Sequence, residues 1–434
     1  MQFRRRFRRA HRSSGAVRVL LAFLASLLVV VSACSTGGLS TSTTTVTDTV
    51  GQTDASAPSS GGSSSSSSSS TVAAPVAAVT ASPAFGSSDL SPVDPITVSV
   101  AQGTITDFTL TNPAGEPVDG TLAADGTSWT VGEPLGFGKT YTATGSATGT
   151  DGKVVPISGS FTTVTPQTEV RTTVAPADGA VVGVAAPITV SFGQEPVDRA
   201  LIQRNVTLTT TPAVEGSWGW LESNDGRMTL TFRPEEYWPE NTQVHVDVKV
   251  YGLEFGPGAY GASDLTSDFT IGRNQVVKAD VNSHQMVVEQ DGVPVASYPA
   301  SYGRGVVVEN GVEKVDPNLI TRSGVHVVNE FFETKLMSNP RYGYENLPEK
   351  WAVRISNNGE FIHANPNSVG AQGSSNVTHG CINLSTENAE AYYKSALWGD
   401  PVEITGTEIQ LSPADGDIWV WGVSWAEWQT LSAL

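Results

Sequence analysis

The sequence is poor in cysteine, in charge and above all in cations. Two cysteines in 434 residues cannot build a disulfide framework. Charged residues make up 16% of the chain, against about 25% for an average soluble protein, and 25 Lys plus Arg face 43 Asp plus Glu. The formal charge of −18 repels phosphate backbones and excludes nucleic-acid binding through a broad basic surface. The apolar run from Val19 to Val31 is shorter than the roughly 18 residues that a membrane span needs. What is plentiful is Gly and Pro, 43 and 25 residues, a composition that favours turn-rich β structure. At about 150 residues per domain, the length allows about three domains.

The cations are unevenly placed. Residues 1–33 hold seven arginines and no acid, which leaves 18 Lys and Arg against 43 Asp and Glu in the remainder, a charge near −25. Arginines, a short apolar run and then Ser32-Ala33-Cys34 read as an export signal over 1–33. Val31-Ser32-Ala33-Cys34 is similar to a bacterial lipobox, in which the cysteine is lipidated and becomes the new N-terminus. The competing reading is an ordinary cleavage site with Cys34 incidental. Several acyl chains on Cys34 would anchor the protein stably at the outer face of the cytoplasmic membrane, facing the cell wall. Residues 34–78 contain no Lys, Arg or aromatic residue and include an unbroken serine run from Ser63 to Ser70. Such a segment buries too little apolar surface to offset its chain entropy and reads as a flexible tether.

From residue 79 onward short Thr/Val-rich alternating runs are separated by Gly, Pro, Asp and Asn, and the pattern occurs twice. Pro95–Val100 is echoed by Pro187–Phe192, Gly138–Ala143 by Glu240–His245, and Gly159–Thr163 by Ser267–Ile271. Two tandem immunoglobulin-like β-sandwiches, 79–166 and 167–273, are the natural reading of repeats this long. Trp129, Trp218, Trp220 and Trp238 are assigned to packing.

A third module, 274–405, opens with strands over 275–280, 285–290 and 293–301, the last two joined at Asp291-Gly292. Further strands are expected over 352–355 and 360–364, turning at Asn357-Asn358-Gly359. A helix capped by Ser385 runs to about Leu397, and a closing strand spans 401–405. The tail, 406–434, holds four of the ten tryptophans. Ser424-x-x-Glu427 is a capping box, so Trp425, Trp428 and Leu431 share one face of a short helix. A helix this short is marginal in water, and it is expected to dock on the third module. The fold class is therefore mainly β: two sandwiches, a β-rich domain with a short helix, and a Trp-rich C-terminal subdomain.

The densest polar constellation is His363 followed by Thr378-His379-Gly380-Cys381-Ile382-Asn383. A thiol attacks as its thiolate, and a nearby imidazole favours that form. His363 and His379 compete for the role of base, since a strand-loop-strand return can bring His363 beside the thiol. Gly380 removes a side chain next to the thiol and frees backbone N–H groups to approach a developing oxyanion. Zinc ligation by His363, His379 and Cys381 is weakened by the absence of a second nearby cysteine. His326 and His284 have no partner in the pattern.

His363-x17-Cys381 with Thr378-His379-Gly380-Cys381-Ile382-Asn383 closely resembles the signature of the L,D-transpeptidase (YkuD-type) catalytic domain. The order of modules resembles the actinobacterial and mycobacterial lipoprotein members with two immunoglobulin-like domains. The resemblance implies cysteine acyl transfer from a peptidoglycan tetrapeptide stem, with release of D-alanine and formation of 3-3 cross-links. Its alternatives are an L,D-carboxypeptidase or a non-catalytic wall-binding lipoprotein. It implies Cys381 as the acylated nucleophile, His363 as its base oriented by the Ala364 carbonyl, Gly380 and Cys381 as oxyanion N–H donors, and His379 and Asn383 as residues that shape the loop and contact substrate. Met337, Tyr342 and Tyr344 fall at lid positions, with Tyr344 on the oxyanion side, and Thr378 joins Met337 and Tyr342 as a substrate contact. No metal or other cofactor is implied; the expected partners are stem peptides, carbapenem β-lactams and, through Cys34, the membrane. Residues 34–273 then act as a spacer, and either sandwich is expected to be dispensable for acylation itself.

Overall fold

The computed structural model describes residues 76–223, 226–413 and 418–434. The expected signal segment, Cys34 and nearly all of the tether lie outside the described residues. Among those described, no helix is long and apolar enough to cross a membrane.

Period-two burial builds the sandwiches: in Ile188–Phe192 the first, third and fifth residues are buried and the two between are half-buried. The first sandwich opens at Ala78, with Ala77 already in its core. One of its sheets runs Ala78–Ser82, Thr97–Ala101, Ser128–Val131, Gly120–Leu122, and the other Gly103–Thr111, Thr140–Gly149, Val154–Thr162. The second sandwich repeats this order as Thr172–Ala175, Ile188–Phe192, Met228–Pro234, Gly216–Glu222 and as Val206–Thr211, Gln243–Val248, Leu265–Ile271, the last flanked by Val181–Val182. All three sequence echoes fall on equivalent strands of the two copies. Trp129 is buried in the first core and Trp220 and Trp238 in the second, with Trp218 packed against the latter.

The third module packs two sheets around Val277, Met286, Val353, Ile362, Ile382, Leu384 and Val402. Its five-stranded sheet has the order Val293–Pro299, Gln285–Gln290, Gln275–Asp280, Pro401–Thr405, Gly324–Val327. Its four-stranded sheet runs Glu330–Asn339, Tyr344–Arg354, Phe361–Ala364, Ile382–Leu384. Asp291 and Gly292 both take positive φ, 51° and 73°, as a two-residue hairpin turn demands. Ser385 caps the helix Thr386–Ser395 by accepting from the Asn388 N–H. Phe361–Ala364 and Ile382–Leu384 pair in parallel and every residue in both is buried, the usual state of parallel strands.

A seam of backbone hydrogen bonds joins the second sandwich to this module. The Gly183 and Ala185 N–H groups donate to the Trp398 and Gly399 carbonyls at 2.7 and 2.9 Å. Gly399 sits at φ 88°, and a Cβ there would lie 2.6 Å from that of Ala186. The fully buried Asp400 accepts from Arg273 at 2.8 Å and from the Leu397 N–H at 2.8 Å.

The tail departs from expectation. Residues 407–411 do run beside the third module, with the Leu411 N–H donating to the Ser323 carbonyl at 2.7 Å, and Val420–Gly422 also touches its strand Gly324–Val327, but most of residues 418–434 packs on the second sandwich. The Trp421, Trp428 and Arg233 side chains donate to the carbonyls of Ala185, Ser217 and Val423 at 2.9, 2.9 and 2.8 Å. The tail covers the outer face of the strand Met228–Pro234, opposite the core residues Leu230 and Phe232, and leaves the Arg233 guanidinium there only 2% exposed. Its carbon lies 4.8, 5.2 and 5.1 Å from the ring centroids of Trp421, Trp425 and Trp428, so the tail indoles supply the π faces that a desolvated cation needs. The capping box of Ser424 and Glu427 is formed, and Trp425, Trp428 and Leu431 share one apolar cluster with Leu221 and Val420.

Trp428 is fully buried, so Trp428→Ala is expected to lower stability by about 3–5 kcal/mol in urea unfolding. The alkylation rate of Cys381 under native conditions should stay within about twofold of wild type, because the tail touches the sandwich and not the site.

Candidate active site

His363 lies in the strand Phe361–Ala364, opposite Asn383 in the parallel register. Cys381 immediately precedes the partner strand. A parallel pair requires a crossover of about a dozen residues or more; here it is residues 365–381, and the x17 spacing of the motif is that crossover. The His363 ring is 4% exposed. Its Nδ1 lies 3.0 Å from the Ala364 carbonyl oxygen and 3.3 Å from Oε2 of Glu349, which leaves Nε2 to interact with the Cys381 thiol. Burial opposes a charge on the ring, but the bonds to Cys381 and Glu349 prevail and hold its pKa up at about 10. The half-buried thiol also sits 3.7 Å from the Gly359 carbonyl oxygen.

The two histidines are separated by their surroundings. The His379 ring packs at a tilt against both Tyr342 and Tyr344, each centroid 5.3 Å away, and burial together with Arg304 lowers its pKa. A pair of like groups pushed in opposite directions marks different tasks. Tyr344 has its hydroxyl pKa raised, first by burial and then by Cys381 and Glu349. Tyr342 donates to Oδ2 of Asp316 at 2.8 Å, and Arg341 meets the same oxygen at 3.1 Å. Both tyrosines belong to a long hairpin, Glu330–Asn339 and Tyr344–Arg354, which turns at Gly343 with φ 81° and latches on Asp316.

The loop before the thiol is tied on both sides. The Thr378 hydroxyl donates to the Cys381 carbonyl at 2.7 Å and accepts from the Gly380 N–H at 3.1 Å, while Thr321 donates to the Gly380 carbonyl at 2.7 Å. The Gly380 N–H is thereby engaged by Thr378 and the Thr378 hydroxyl by the loop, while Thr378 also lines the cavity beside His363. What requires glycine at 380 is its φ of 122°. Behind it lies the buried Glu360, which accepts from the Arg322 N–H at 3.0 Å and the Ser356 hydroxyl at 2.8 Å. His326 is fully buried beside this cluster, 2.9 Å from the Arg322 carbonyl oxygen and 3.2 Å from that of Ile355.

Two cavities meet at the thiol. One, of about 510 Å³, is walled by Glu349, His363, Asn365, Ser368 and Asn383; the other, of about 520 Å³, by Lys335, Arg341, Gly359 and Phe361. Met337, Tyr342, Tyr344, His379 and Cys381 line both. In the first, Asn383 Nδ2 reaches Ser368 Oγ at 3.3 Å, whereas its buried Oδ1 has no hydrogen-bond partner.

Residues 274–404 match the sequence profile of the L,D-transpeptidase catalytic domain (YkuD), and 87–254 that of a bacterial Ig domain. L,D-transpeptidase 5 of Mycobacterium tuberculosis (strain H37Rv) is 51% identical over 360 residues, covering 83% of this chain and 78% of that protein. The chain belongs to the L,D-transpeptidase family. L,D-transpeptidase 2 of M. tuberculosis (strain CDC 1551) is 33% identical over 82% of this chain and 85% of its own. An L,D-transpeptidase solved in complex with imipenem is 30% identical and is covered in full by 55% of this chain, with a TM-score of 0.44.

In this L,D-transpeptidase the sequence motif leads to His363, Cys381, His379 and Asn383, and all four line the first cavity. It does not lead to Glu349 or Asp316. Each is an acid in an acid-rich chain, with no motif neighbour to single it out. What singles out Glu349 is burial: it alone is buried in the otherwise exposed stretch of strand over 345–350.

The raised His363 pKa has a stability consequence. The imidazolium contributes fully below its ordinary value of 6.5, and the contribution is lost as pH rises through about 10. The difference in unfolding free energy between wild type and His363→Gln should therefore be largest near pH 6 and shrink toward pH 10.5. A difference that is flat with pH would contradict the assignment of charge to this ring.

Proposed function

We propose that this L,D-transpeptidase forms 3-3 peptidoglycan cross-links through a thioester on Cys381. The supporting observation is that a thiol beside a buried, cation-favouring imidazole stands where two cavities meet. The Cys381 thiolate attacks the carbonyl carbon of the third residue of a tetrapeptide stem. The bond to the terminal D-alanine breaks, and the His363 imidazolium gives its proton to the departing amine. An amine from the third residue of a second stem then loses a proton to His363 and attacks the thioester. The C–S bond breaks, the new amide forms, and the thiolate–imidazolium pair is restored. Two cavities sharing the thiol suit a reaction in which one acyl donor and one amine acceptor must reach the same sulfur.

Within this reading the Cys381 N–H is the oxyanion donor, since that of Gly380 is engaged, and the Tyr344 hydroxyl faces the same region. The unpartnered Asn383 Oδ1 accepts an N–H of the stem backbone. His379 holds the lid by packing against Tyr342 and Tyr344, and Met337 and Tyr342 wall the substrate. Opening of a carbapenem ring by Cys381 follows from the same acyl chemistry. The lipobox-like Cys34 anchors the protein at the outer face of the cytoplasmic membrane, with the described modules directed toward the wall.

Cys381→Ala and Cys381→Ser are both expected to fold and to lose cross-linking, because a serine hydroxyl is a far weaker nucleophile in a site tuned for a thiolate. Intact mass should show one carbapenem added to wild type and none to Cys381→Ala. Turnover above about 1% in either variant would overturn the thioester. His363→Ala should slow carbapenem acylation at neutral pH by about 10²-fold or more, the usual scale of general-base loss, and more than His379→Ala does; the reverse order would exchange the two histidines.

The spacer hypothesis is narrower than the sequence alone suggests. Deleting the first sandwich should leave carbapenem acylation of the soluble protein nearly unchanged and lower 3-3 cross-links in cells. Deleting the second strips the bed of the tail and is expected to destabilise the catalytic module. Cys34→Ala should move the protein out of the membrane fraction.

A further inference from the structure

Glu349 is 7% exposed, and burying a carboxylate costs several kcal/mol unless a charge answers it. The partner it has is His363, 3.3 Å from Oε2. Lys335 is its cross-strand neighbour, but the Lys335 ammonium lies over the Phe332 ring, 4.0 Å from the centroid. Lys350, next along the strand, donates to the Thr334 hydroxyl. Arg341 is held by Asp316, and Arg304 acts on His379.

The Ala364 carbonyl already fixes the tautomer and tilt of the His363 ring. A second acceptor on the same Nδ1 adds little orientation. What a carboxylate adds is a full negative charge, which favours imidazolium over neutral imidazole. We propose that Glu349 is a positioning residue for the reaction proposed above: from the lid strand it holds His363 doubly protonated, so that Cys381 rests as a thiolate–imidazolium pair and a proton is ready for the departing amine before substrate arrives. The charged and titratable groups around the ring are then three in series, Glu349 from the strand Tyr344–Arg354, His363 itself and Cys381 from the crossover, and both ends act on the Tyr344 hydroxyl. Because Glu349 shares its strand with Tyr344, the lid that covers the site also carries the charge that primes it.

The test uses the full chain with histidine labelled at ring carbon Cε1, where six histidines give a resolvable NMR spectrum and His363→Gln assigns the signal. Wild-type His363 should remain imidazolium through pH 8. Glu349→Gln keeps the shape and removes the charge, and should lower the His363 midpoint by about one pH unit or more, the scale of an opposite charge within about 4–6 Å. In parallel, the alkaline limb of the carbapenem acylation profile should move down by the same amount while the plateau changes less than about threefold. Should Glu349→Gln not fold, Glu349→Asp, which withdraws the charge by one methylene, should shift the midpoint in the same direction by less. An unchanged midpoint, or a plateau that drops with the limb unmoved, overturns the proposal and assigns Glu349 a structural role. The thioester reading is judged separately, by acylation and turnover of the Cys381 variants, whatever Glu349 does.

Discussion

The parallel pairing of Phe361–Ala364 with Ile382–Leu384 is the constraint on which the reactive end of the molecule depends. Parallel strands cannot be joined by a tight turn, so the chain must leave the sheet after Ala364 and return at Cys381. That excursion supplies most of the first cavity, including Asn365, Ser368, Thr378 and His379. Register does the rest: His363 opposite Asn383 puts the imidazole two residues from the thiol across the ladder, the same-face spacing of a strand. A one-residue slip would turn the ring to the opposite face, and because both strands are wholly buried the sheet has strong reason not to slip.

Much of this was legible in the sequence because the relevant residues repeat or punctuate. The sandwich echoes fall on equivalent strands, Asp291-Gly292 makes its turn, Ser385 and Ser424 cap their helices, and the last strand of the third module spans Pro401–Thr405. The lid hairpin was not legible as a pair of strands ten and eleven residues long. Most of it is exposed or half-buried on both faces, so the apolar alternation that announces a strand is missing. The docking of the tail was misread for a related reason. Its indoles pack on a cation nearly two hundred residues away, and nothing local to either segment shows that the outer face carrying Arg233 is the one to be covered.

Charge is handled differently at the surface and inside. The chain is strongly acidic, yet the acids that organise the third module are the few that are buried. Asp400 closes the seam with Arg273, Glu360 backs the Gly380 turn, and Glu349 faces His363. Each is matched by a donor or cation contributed from another segment, so each fixes the relative position of two pieces of chain as well as a protonation state. Such pairs are weak evidence for stability, since burial offsets much of their attraction. Their effect here is geometric: removing either member leaves the other unsatisfied in the place where the chain can least rearrange.

The crowding of indoles around Arg233 also governs what an optical measurement on this protein would see. Of the ten tryptophans, Trp218, Trp220, Trp238, Trp398, Trp419, Trp421, Trp425 and Trp428 lie within or against the second sandwich and its tail. Trp351 stands apart, its ring tilted against that of Tyr393 with centroids 5.3 Å away, and Trp129 belongs to the first sandwich. Intrinsic fluorescence is therefore dominated by a region remote from the thiol, and a change in emission during denaturation or mutagenesis reports first on the grip between sandwich and tail. Trp351 is the exception: its strand carries Glu349 and Tyr344, so in a background cleared of the other indoles its emission would follow the lid.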